Sequence, residues 1–139
     1  MLLFSNEDIA YSFDKKSYGD VTVSEVTRID DAISFYVNIE GYPPIIGRQV
    51  AVRISGVDAP EIESNCKSEK DKAIEAKQFT ADSLSAAKTV ELRNIERGVY
   101  FRILAEVYVD GKNLAENLIQ SGHARASDNG DHTGWCDAQ

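Results

Sequence analysis

The segment Val52–Ile62, with the sequence VRISGVDAPEI, decides how the rest of this chain is interpreted. Its first residues alternate between aliphatic and polar side chains, which is typical of a half-buried β-strand. The alternation places Arg53 on the polar face, and Asp58 and Glu61 follow where the strand ends near Pro60. A cation and two carboxylates around a proline indicate either a solvated loop or a site that handles phosphate and metal.

The length and composition indicate one globular domain. The chain has 139 residues, of which 42% are hydrophobic and 27% are charged, and this is ordinary for a protein with a single core. No apolar run is long enough to cross a bilayer, so no membrane segment is expected. We predict a domain over residues 18–139. Residues 1–17 are either an ordinary N-terminal segment or the remnant of a signal region, because their apolar patch is too short for a signal peptide.

The chain is acidic, with a net charge of −8, but the excess acid lies at its two ends. Residues 1–31 and residues 106–139 each carry a net charge of −4, whereas residues 32–105 hold ten acidic and ten basic residues. An acidic protein is a poor binder of duplex nucleic acid, because the phosphate backbone favours a basic surface. The neutral middle of the chain still permits a local basic pocket.

Hydrophobic periodicity predicts the elements around the opening segment. The predicted strands are residues 21–29, 33–39, 49–57, 89–95 and 99–109, and the predicted helices are residues 68–87 and 113–121. Residues 40–47 are expected to form a loop because they are dense in glycine and proline. Ser68 is expected to cap the long helix, and its charged face, Lys67–Lys77, is expected to be solvated. Val99 and Phe101 are expected to share the core face of their strand.

This order of elements indicates the fold class. Three strands, a long helix, two more strands and a short helix are compatible with a small closed barrel that has helices packed on it. We therefore predict an α+β fold that is mainly β, a five-stranded Greek-key barrel of the OB type with two or three packed helices.

Two of the predicted strands carry an arginine on the face opposite the core pattern. Arg53 lies on the third strand and Arg102 on the fifth, where Tyr100 shares its face. Two guanidinium groups can clamp a phosphodiester and stabilise the added charge of its transition state. Of the two carboxylates, Asp58 and Glu61, one can hold a hard cation and the other can deprotonate an attacking water. The spacing alone leaves open a plain surface with two arginine–acid pairs.

The two cysteines, Cys66 and Cys136, lie far apart in the sequence. There is no CxxC motif and no histidine at metal-ligand spacing, so a zinc site is not expected. Two free thiols are expected of a cytosolic protein and a single disulfide of an exported one. The residues themselves leave both states open.

Three blocks of the chain, VTRIDDAISFYV, VRISGVDAPEI and YFRILAEVYVDG, resemble the core blocks of the staphylococcal nuclease (thermonuclease) family. The likeness runs from about Tyr18 to Cys136, and GYPPIIG with the C-terminal GWC resembles a bacterial, often exported branch. The resemblance implies the OB-type barrel, hydrolysis of DNA and RNA with Ca²⁺, and pairing of Cys66 with Cys136. It also implies that the protein is secreted or periplasmic.

The resemblance further implies roles for individual residues. Arg53 and Arg102 match the phosphate-binding arginines, and Glu61 matches the proposed general base. Asp58 matches a calcium-ligand aspartate, Ala59 the position that offers a backbone carbonyl to the metal, and Tyr100 a tyrosine that contacts the substrate.

The chain departs from the family pattern at several positions. Ile33 stands where the family has a second calcium-ligand aspartate, and isoleucine cannot coordinate a hard cation. Asp31 could replace it only through a one-residue slip that reverses the alternation of the next strand, so we do not expect it to. Val99 stands where a basic residue is common, and Ser127 and Asp131 stand where the branch has tyrosine and lysine. These changes weaken metal, substrate and backbone contacts together.

Two functions of different classes follow, and the sequence leaves open whether the protein is an enzyme. The first is a nuclease, a Ca²⁺-dependent phosphodiesterase that binds single-stranded DNA or RNA weakly and cleaves it. The alternative is a catalytically degenerate nuclease fold that acts as a binding or regulatory module, with a protein as its partner. A single-strand binder without chemistry ranks third, because the chain is acidic. A monomer is expected in each case.

Overall fold

The computed structural model describes residues 17–99, 101–127 and 134–137. The strands in these ranges are β1 (Val21–Asp31), β2 (Ser34–Ile39), β3 (Val50–Ile54), β4 (Val57–Asp58), β5 (Val90–Arg97), β6 (Ile103–Val109), β7 (Lys112–Asn113) and β8 (Arg125–Ala126). The helices are α1 (Pro44–Gly47), α2 (Lys67–Ala86) and α3 (Leu114–Gln120).

Five strands close into a mixed barrel. β2 pairs antiparallel with β1 and β3, and β5 pairs antiparallel with β1 and β6. The ring closes through the parallel pairing of β3 with β6, in which Val52 lies opposite Ile103 and Ile54 opposite Ala105. This strand order is that of an OB-type Greek-key barrel, so the predicted fold class is confirmed.

The barrel interior is filled by the apolar side chains that the strand alternation predicted. Phe35 and Val37 of β2 and Val52 and Ile54 of β3 are buried, because alternate side chains of a strand point to the same face. The largest fully buried side chains are Phe35, Ile54, Leu92, Leu114, Leu118, Val37, Val52, Val107 and Thr80. Burying each large apolar side chain stabilises the fold by roughly 1.5–3 kcal/mol, which fixes the barrel as a rigid scaffold.

The helix α2 packs on the barrel through small residues. Its buried residues are Glu69, Ala73, Ala76, Thr80 and Leu84. The predicted serine cap was wrong: the helix begins at Lys67 with Cys66 as the N-cap residue. The hydroxyl of Ser68 instead accepts a hydrogen bond from the Asp137 backbone N–H at 3.0 Å. The first turn is covered by the C-terminal segment, so its polar groups serve tertiary contacts.

Two other predicted boundaries were wrong for local reasons. The third strand does not run to residue 57, because Gly56 adopts a left-handed φ of 78° and separates β3 from β4. The predicted loop at residues 40–47 contains one helical turn, Pro44–Gly47. Proline at the first helical position is compatible with such a turn, because its missing N–H is not needed there.

The predicted strand over residues 99–109 begins only at Ile103. Phe101 has a φ of 61° and is fully exposed, and Val99 is also exposed. The Gly98 N–H donates to the Arg102 carbonyl at 2.7 Å, so this segment forms a turn. The expectation that Val99 and Phe101 share a core face was therefore wrong, because a left-handed residue breaks the strand alternation.

The two cysteines form a disulfide, Cys66–Cys136. The bond joins the residue before α2 to the C-terminal segment, which agrees with the pairing implied by the resemblance. A structural disulfide persists in an oxidising compartment, so the bond points to one.

Candidate active site

An open cleft of about 570 Å³ lies beside one end of the barrel. It is formed where the turn between β1 and β2, the end of β3 and the segment after β4 meet. The charged residues that line it are Asp30, Asp31, Arg53, Asp58, Glu61, Glu63 and Lys77. The volume is in the range of small-ligand sites. The cleft brings together residues that are far apart in sequence.

Arg53 reaches the cleft from β3. It lies between the buried residues Val52 and Ile54, so its side chain is on the opposite face of the strand, as predicted. Within the described parts of the chain, no hydrogen bond or ion pair of its guanidinium is observed. A guanidinium offers five N–H donors in a planar fork, which suits a phosphate or carboxylate.

Asp58 occupies β4, where the chain leaves the barrel. Its carboxylate is only 6% exposed and also lines the cleft. The indole Nε1 of Trp135 donates a hydrogen bond to Asp58 Oδ2 at 2.7 Å. A buried carboxylate is stable only when it is paired or hydrogen-bonded, and the indole N–H supplies one such bond. Ala59, the next residue, is buried and lines the same cleft.

Glu61 is exposed and also lines the cleft, and its backbone is hydrogen-bonded to a side chain of α2. Its N–H donates to Glu69 Oε2 at 2.9 Å, while Ser64 Oγ donates to Glu69 Oε1 at 3.1 Å. Glu69 is 7% exposed and belongs to the first turn of α2. One buried carboxylate therefore fixes the loop that carries Glu61 to the helix.

Asp31 lines the cleft at the end of β1, where the pairing of β1 with β2 shifts register between Ile29 and Asp31. It pairs with Ser34 across a turn formed by Ala32 and Ile33, and its Oδ1 accepts a hydrogen bond from the Ile33 N–H at 2.9 Å. Phe35 still points into the core. The turn presents the aspartate at the end of β1, so the alternation of β2 is preserved.

Ile33 itself is 5% exposed and belongs to the core cluster. The Thr80 hydroxyl of α2 donates to the adjacent Ala32 carbonyl at 2.7 Å and holds this turn against the helix. The position that lacks the family's aspartate is thus used for packing.

Arg102 is not among the residues that line the cleft. It immediately precedes β6, and its Nε is buried without a hydrogen-bond partner among the described residues. Tyr100 and Asp131 lie outside the described residues. The cleft lining therefore includes Arg53, Asp58 and Glu61, whereas Arg102 lies just before Ile103, which pairs with Val52 of β3.

The sequence interpretation missed three residues of the site. Glu69 and Lys77 belong to the face of α2 that was expected to be solvated, yet one is buried and the other lines the cleft. Trp135 entered the sequence analysis only through the C-terminal GWC. A charged helix face gives no signal of which charge turns inward, but the chain's only tryptophan beside a cysteine was a signal that could have been followed.

The acidic lining allows a test of whether Ca²⁺ fits. Within the described ranges, no three His, Cys, Asp or Glu side chains form a group that could hold a metal ion. Asp31 and Asp58 line one cleft, and Ala59 lies beside them. Because Ca²⁺ takes about six to eight oxygen ligands, these residues would hold it only if water and a substrate phosphate supplied the other ligands.

A comparison with protein families identifies the family of this chain. A family model described as "Staphylococcal nuclease homologue" matches residues 51–134, which is more than half of the chain. The matched range includes Arg53, Asp58, Glu61 and Arg102. A search of curated proteins found no match. None of the helices in the described ranges is both long enough and apolar enough to cross a bilayer.

Proposed function

Because the chain belongs to the staphylococcal nuclease homologue family, we propose that its cleft binds single-stranded DNA or RNA and hydrolyses the phosphodiester with weakly held Ca²⁺. The observation that carries this proposal is the convergence of Arg53, Asp58 and Glu61 on one cleft. A guanidinium cation, a buried carboxylate and an exposed carboxylate are the groups that phosphoryl transfer needs at one place.

The residues divide the work by their positions. Arg53 binds the non-bridging oxygens of the phosphate and stabilises the charge that they gain. Glu61 is the general base that takes the proton from the attacking water, and its backbone bond to Glu69 holds it at the cleft. Asp58, with Asp31 and the Ala59 carbonyl, holds the cation. When it is bound, Ca²⁺ polarises a phosphoryl oxygen and offsets negative charge.

The charge balance of the cleft explains why activity should depend on a cation. Five carboxylates and two basic side chains line it, namely Asp30, Asp31, Asp58, Glu61 and Glu63 against Arg53 and Lys77. A phosphodiester that enters this field is repelled, and each close pair of unit charges costs about 1–4 kcal/mol near a protein surface. A divalent cation offsets two of the three excess negative charges, so substrate and cation are expected to bind together.

The test is cleavage of a single-stranded DNA or RNA oligonucleotide by the full chain at millimolar Ca²⁺. Glu61→Gln should remove the general base and lower the rate by about 100-fold or more. Glu63→Gln is the matched control, because it removes the same charge from the same loop and should change the rate only slightly. Undetectable cleavage by the unaltered protein, or equal losses in both variants, would overturn the proposal.

The same assay tests the second arginine. Arg53→Lys removes a planar fork from the cleft and should lower the rate strongly. The resemblance predicts an equal loss for Arg102→Lys, whereas the position of Arg102 outside the cleft lining favours a smaller one. Comparing the two rates decides between these expectations.

One observation favours the alternative of a degenerate binding or regulatory module. Ile33 is part of the core, so the family's second aspartate is replaced by a packing residue. Calorimetric titration of Ca²⁺ into the protein with a non-cleavable nucleotide diphosphate separates the two functions. Saturable binding supports the nuclease, and no binding supports a module whose partner is a protein.

The compartment belongs to the same proposal. A disulfide-bonded nuclease that is secreted or periplasmic would keep Cys66 paired with Cys136. Alkylation of the protein in extracts without reductant should leave both cysteines unmodified, and labelling of both would argue for a reducing compartment.

A further inference from the structure

Trp135, which belongs to the C-terminal GWC, makes a contact with the cleft. Its indole Nε1 donates to Asp58 Oδ2 at 2.7 Å, and the two side chains are 5% and 6% exposed. The hydrogen bond joins residues 77 positions apart. A hydrogen bond to an ionised carboxylate is shorter and stronger than a neutral one. Because it engages one carboxylate oxygen, it also fixes the rotation of the Asp58 side chain about its last bond.

The indole is itself held in place by Arg125. The guanidinium lies over the ring at 3.9 Å from its centroid, and its Nη2 donates to the Gly134 carbonyl at 2.8 Å. Arg125 is also the residue of β8 that pairs with Asp58 of β4. A side chain at position 134 would collide with Arg125, because a Cβ there would lie 2.9 Å from Nη1. The aspartate, the arginine and the indole thus form one packed unit.

The disulfide fastens this unit to the helix. Cys136 follows Trp135 directly and is bonded to Cys66 at the start of α2. The other links between the segment and the helix are polar and largely exposed. Lys72 Nζ donates to the Trp135 carbonyl at 3.2 Å and pairs with Asp137 at 2.6 Å. Exposed ion pairs contribute little, so the covalent bond is the main link between this segment and α2.

We propose that Trp135 is a positioning residue for Asp58 and that the Cys66–Cys136 disulfide is what keeps it there. The orientation of the carboxylate, and with it the cation affinity of the cleft, then depends on the oxidation state of the two cysteines. The consequence for cation affinity rests on the proposed function, whereas the positioning of Asp58 by the indole does not. On reduction by dithiothreitol, the S–S bond is replaced by two thiols and the reductant becomes a cyclic disulfide. The segment is then held by its exposed contacts with α2 and by the packing of the indole with Arg125, so the donor to Asp58 is less firmly fixed.

The first measurement needs no cation. Trp135 is the only tryptophan in the chain, so the full-length protein gives one indole N–H signal in a ¹⁵N-labelled NMR spectrum. In the oxidised protein this proton should exchange slowly with solvent, and Asp58→Asn should shift the signal. Reduction, or the double substitution Cys66→Ser with Cys136→Ser, should raise the exchange rate of the indole proton at least tenfold. The backbone amide signals of the barrel should remain those of the folded protein. Unchanged exchange after reduction overturns the proposal.

The second measurement is calorimetric titration with Ca²⁺ alone. Trp135→Phe keeps a ring under Arg125 but removes the N–H, and it should weaken Ca²⁺ binding about tenfold. Tyr42→Phe, which removes a polar atom from an exposed ring outside the cleft lining, is the control and should have no effect. Reduction should weaken binding in the unaltered protein but not further in Trp135→Phe, because coupled groups give non-additive losses.

The two measurements separate the possible failures. If reduction weakens Trp135→Phe as much as the unaltered protein, the disulfide does not act through the indole and the proposal is overturned. If the oxidised protein binds no Ca²⁺ but its indole N–H is protected and released on reduction, the proposed nuclease function fails. In that case the positioning of Asp58 by Trp135 is supported by the first measurement.

Discussion

Replacing Thr80 by valine tests whether α2 supports the turn that presents Asp31. The threonine is fully buried, and its hydroxyl donates to the Ala32 carbonyl at 2.7 Å. Valine has nearly the same shape, so the change leaves no cavity. It leaves a buried carbonyl that has lost its observed donor, and such a loss costs about 1–3 kcal/mol. With a urea m-value of about 1–3 kcal/mol/M, the unfolding midpoint should fall by about 1 M.

The assay is urea unfolding followed by far-UV circular dichroism, with Ca²⁺ titration of the folded variant. Ser83→Ala is the matched control, because that hydroxyl bonds the Phe79 carbonyl within the same helix and is only half-buried. Its effect should be within about 0.5 kcal/mol. Thr80→Val should also weaken Ca²⁺ binding, because the turn that presents Asp31 loses its support. Thr80→Ser keeps the hydroxyl and should retain most of the Ca²⁺ affinity. If Thr80→Val and Ser83→Ala lower the free energy of unfolding equally, the hydroxyl of Thr80 does not support the turn.

Three further predictions follow from burial and hydrogen bonding. Glu69→Gln should lower the free energy of unfolding by about 1–3 kcal/mol and slow cleavage, because Glu69 accepts hydrogen bonds from the loop of Glu61. The control Glu75→Gln, at an exposed position, should do neither. Equal unfolding midpoints of the two variants in urea would contradict the prediction. Phe35→Ala should cost about 3–5 kcal/mol in the same experiment, since the ring is 1% exposed, and a loss below 1 kcal/mol would show that the barrel core is placed wrongly. Phe101→Ser should leave the thermal midpoint unchanged, because that ring is fully exposed, and a large drop would mean that it is packed.

The barrel could be predicted because its signal is local. Alternation along β2 and β3 marks which side chains face inward, and the structure buries the residues that it marks. The helix stripe of α2 was predicted for the same reason, since periodicity depends only on spacing along one element. Errors arose at Gly56 and Phe101, where a single left-handed backbone conformation interrupts a predicted strand. A single residue is enough to produce such a conformation, and the hydrophobic periodicity of the sequence does not reveal it.

The site divides in a similar way. Arg53, Asp58 and Glu61 lie within nine positions of one another, so one strand and its exit place them together. The place of Asp31 in the cleft lining could not be predicted, because it depends on the shape of a two-residue turn rather than on alternation. Glu69 was assigned to a solvated face, because mixed charge at helical spacing does not say which carboxylate receives backbone donors from a neighbouring loop.

The sequence by itself determined the barrel, the long helix, the family and the motif that carries Arg53, Asp58 and Glu61, because each of these depends on residues that are close along the chain. Only the tertiary structure decided that Trp135 bonds Asp58 and that Glu69 holds the loop of Glu61. It also decided that Arg102 lies outside the cleft lining. These contacts depend on how the C-terminal segment and α2 pack across the barrel. Burial requires each polar group to find a partner, but it does not specify from which part of the chain that partner comes.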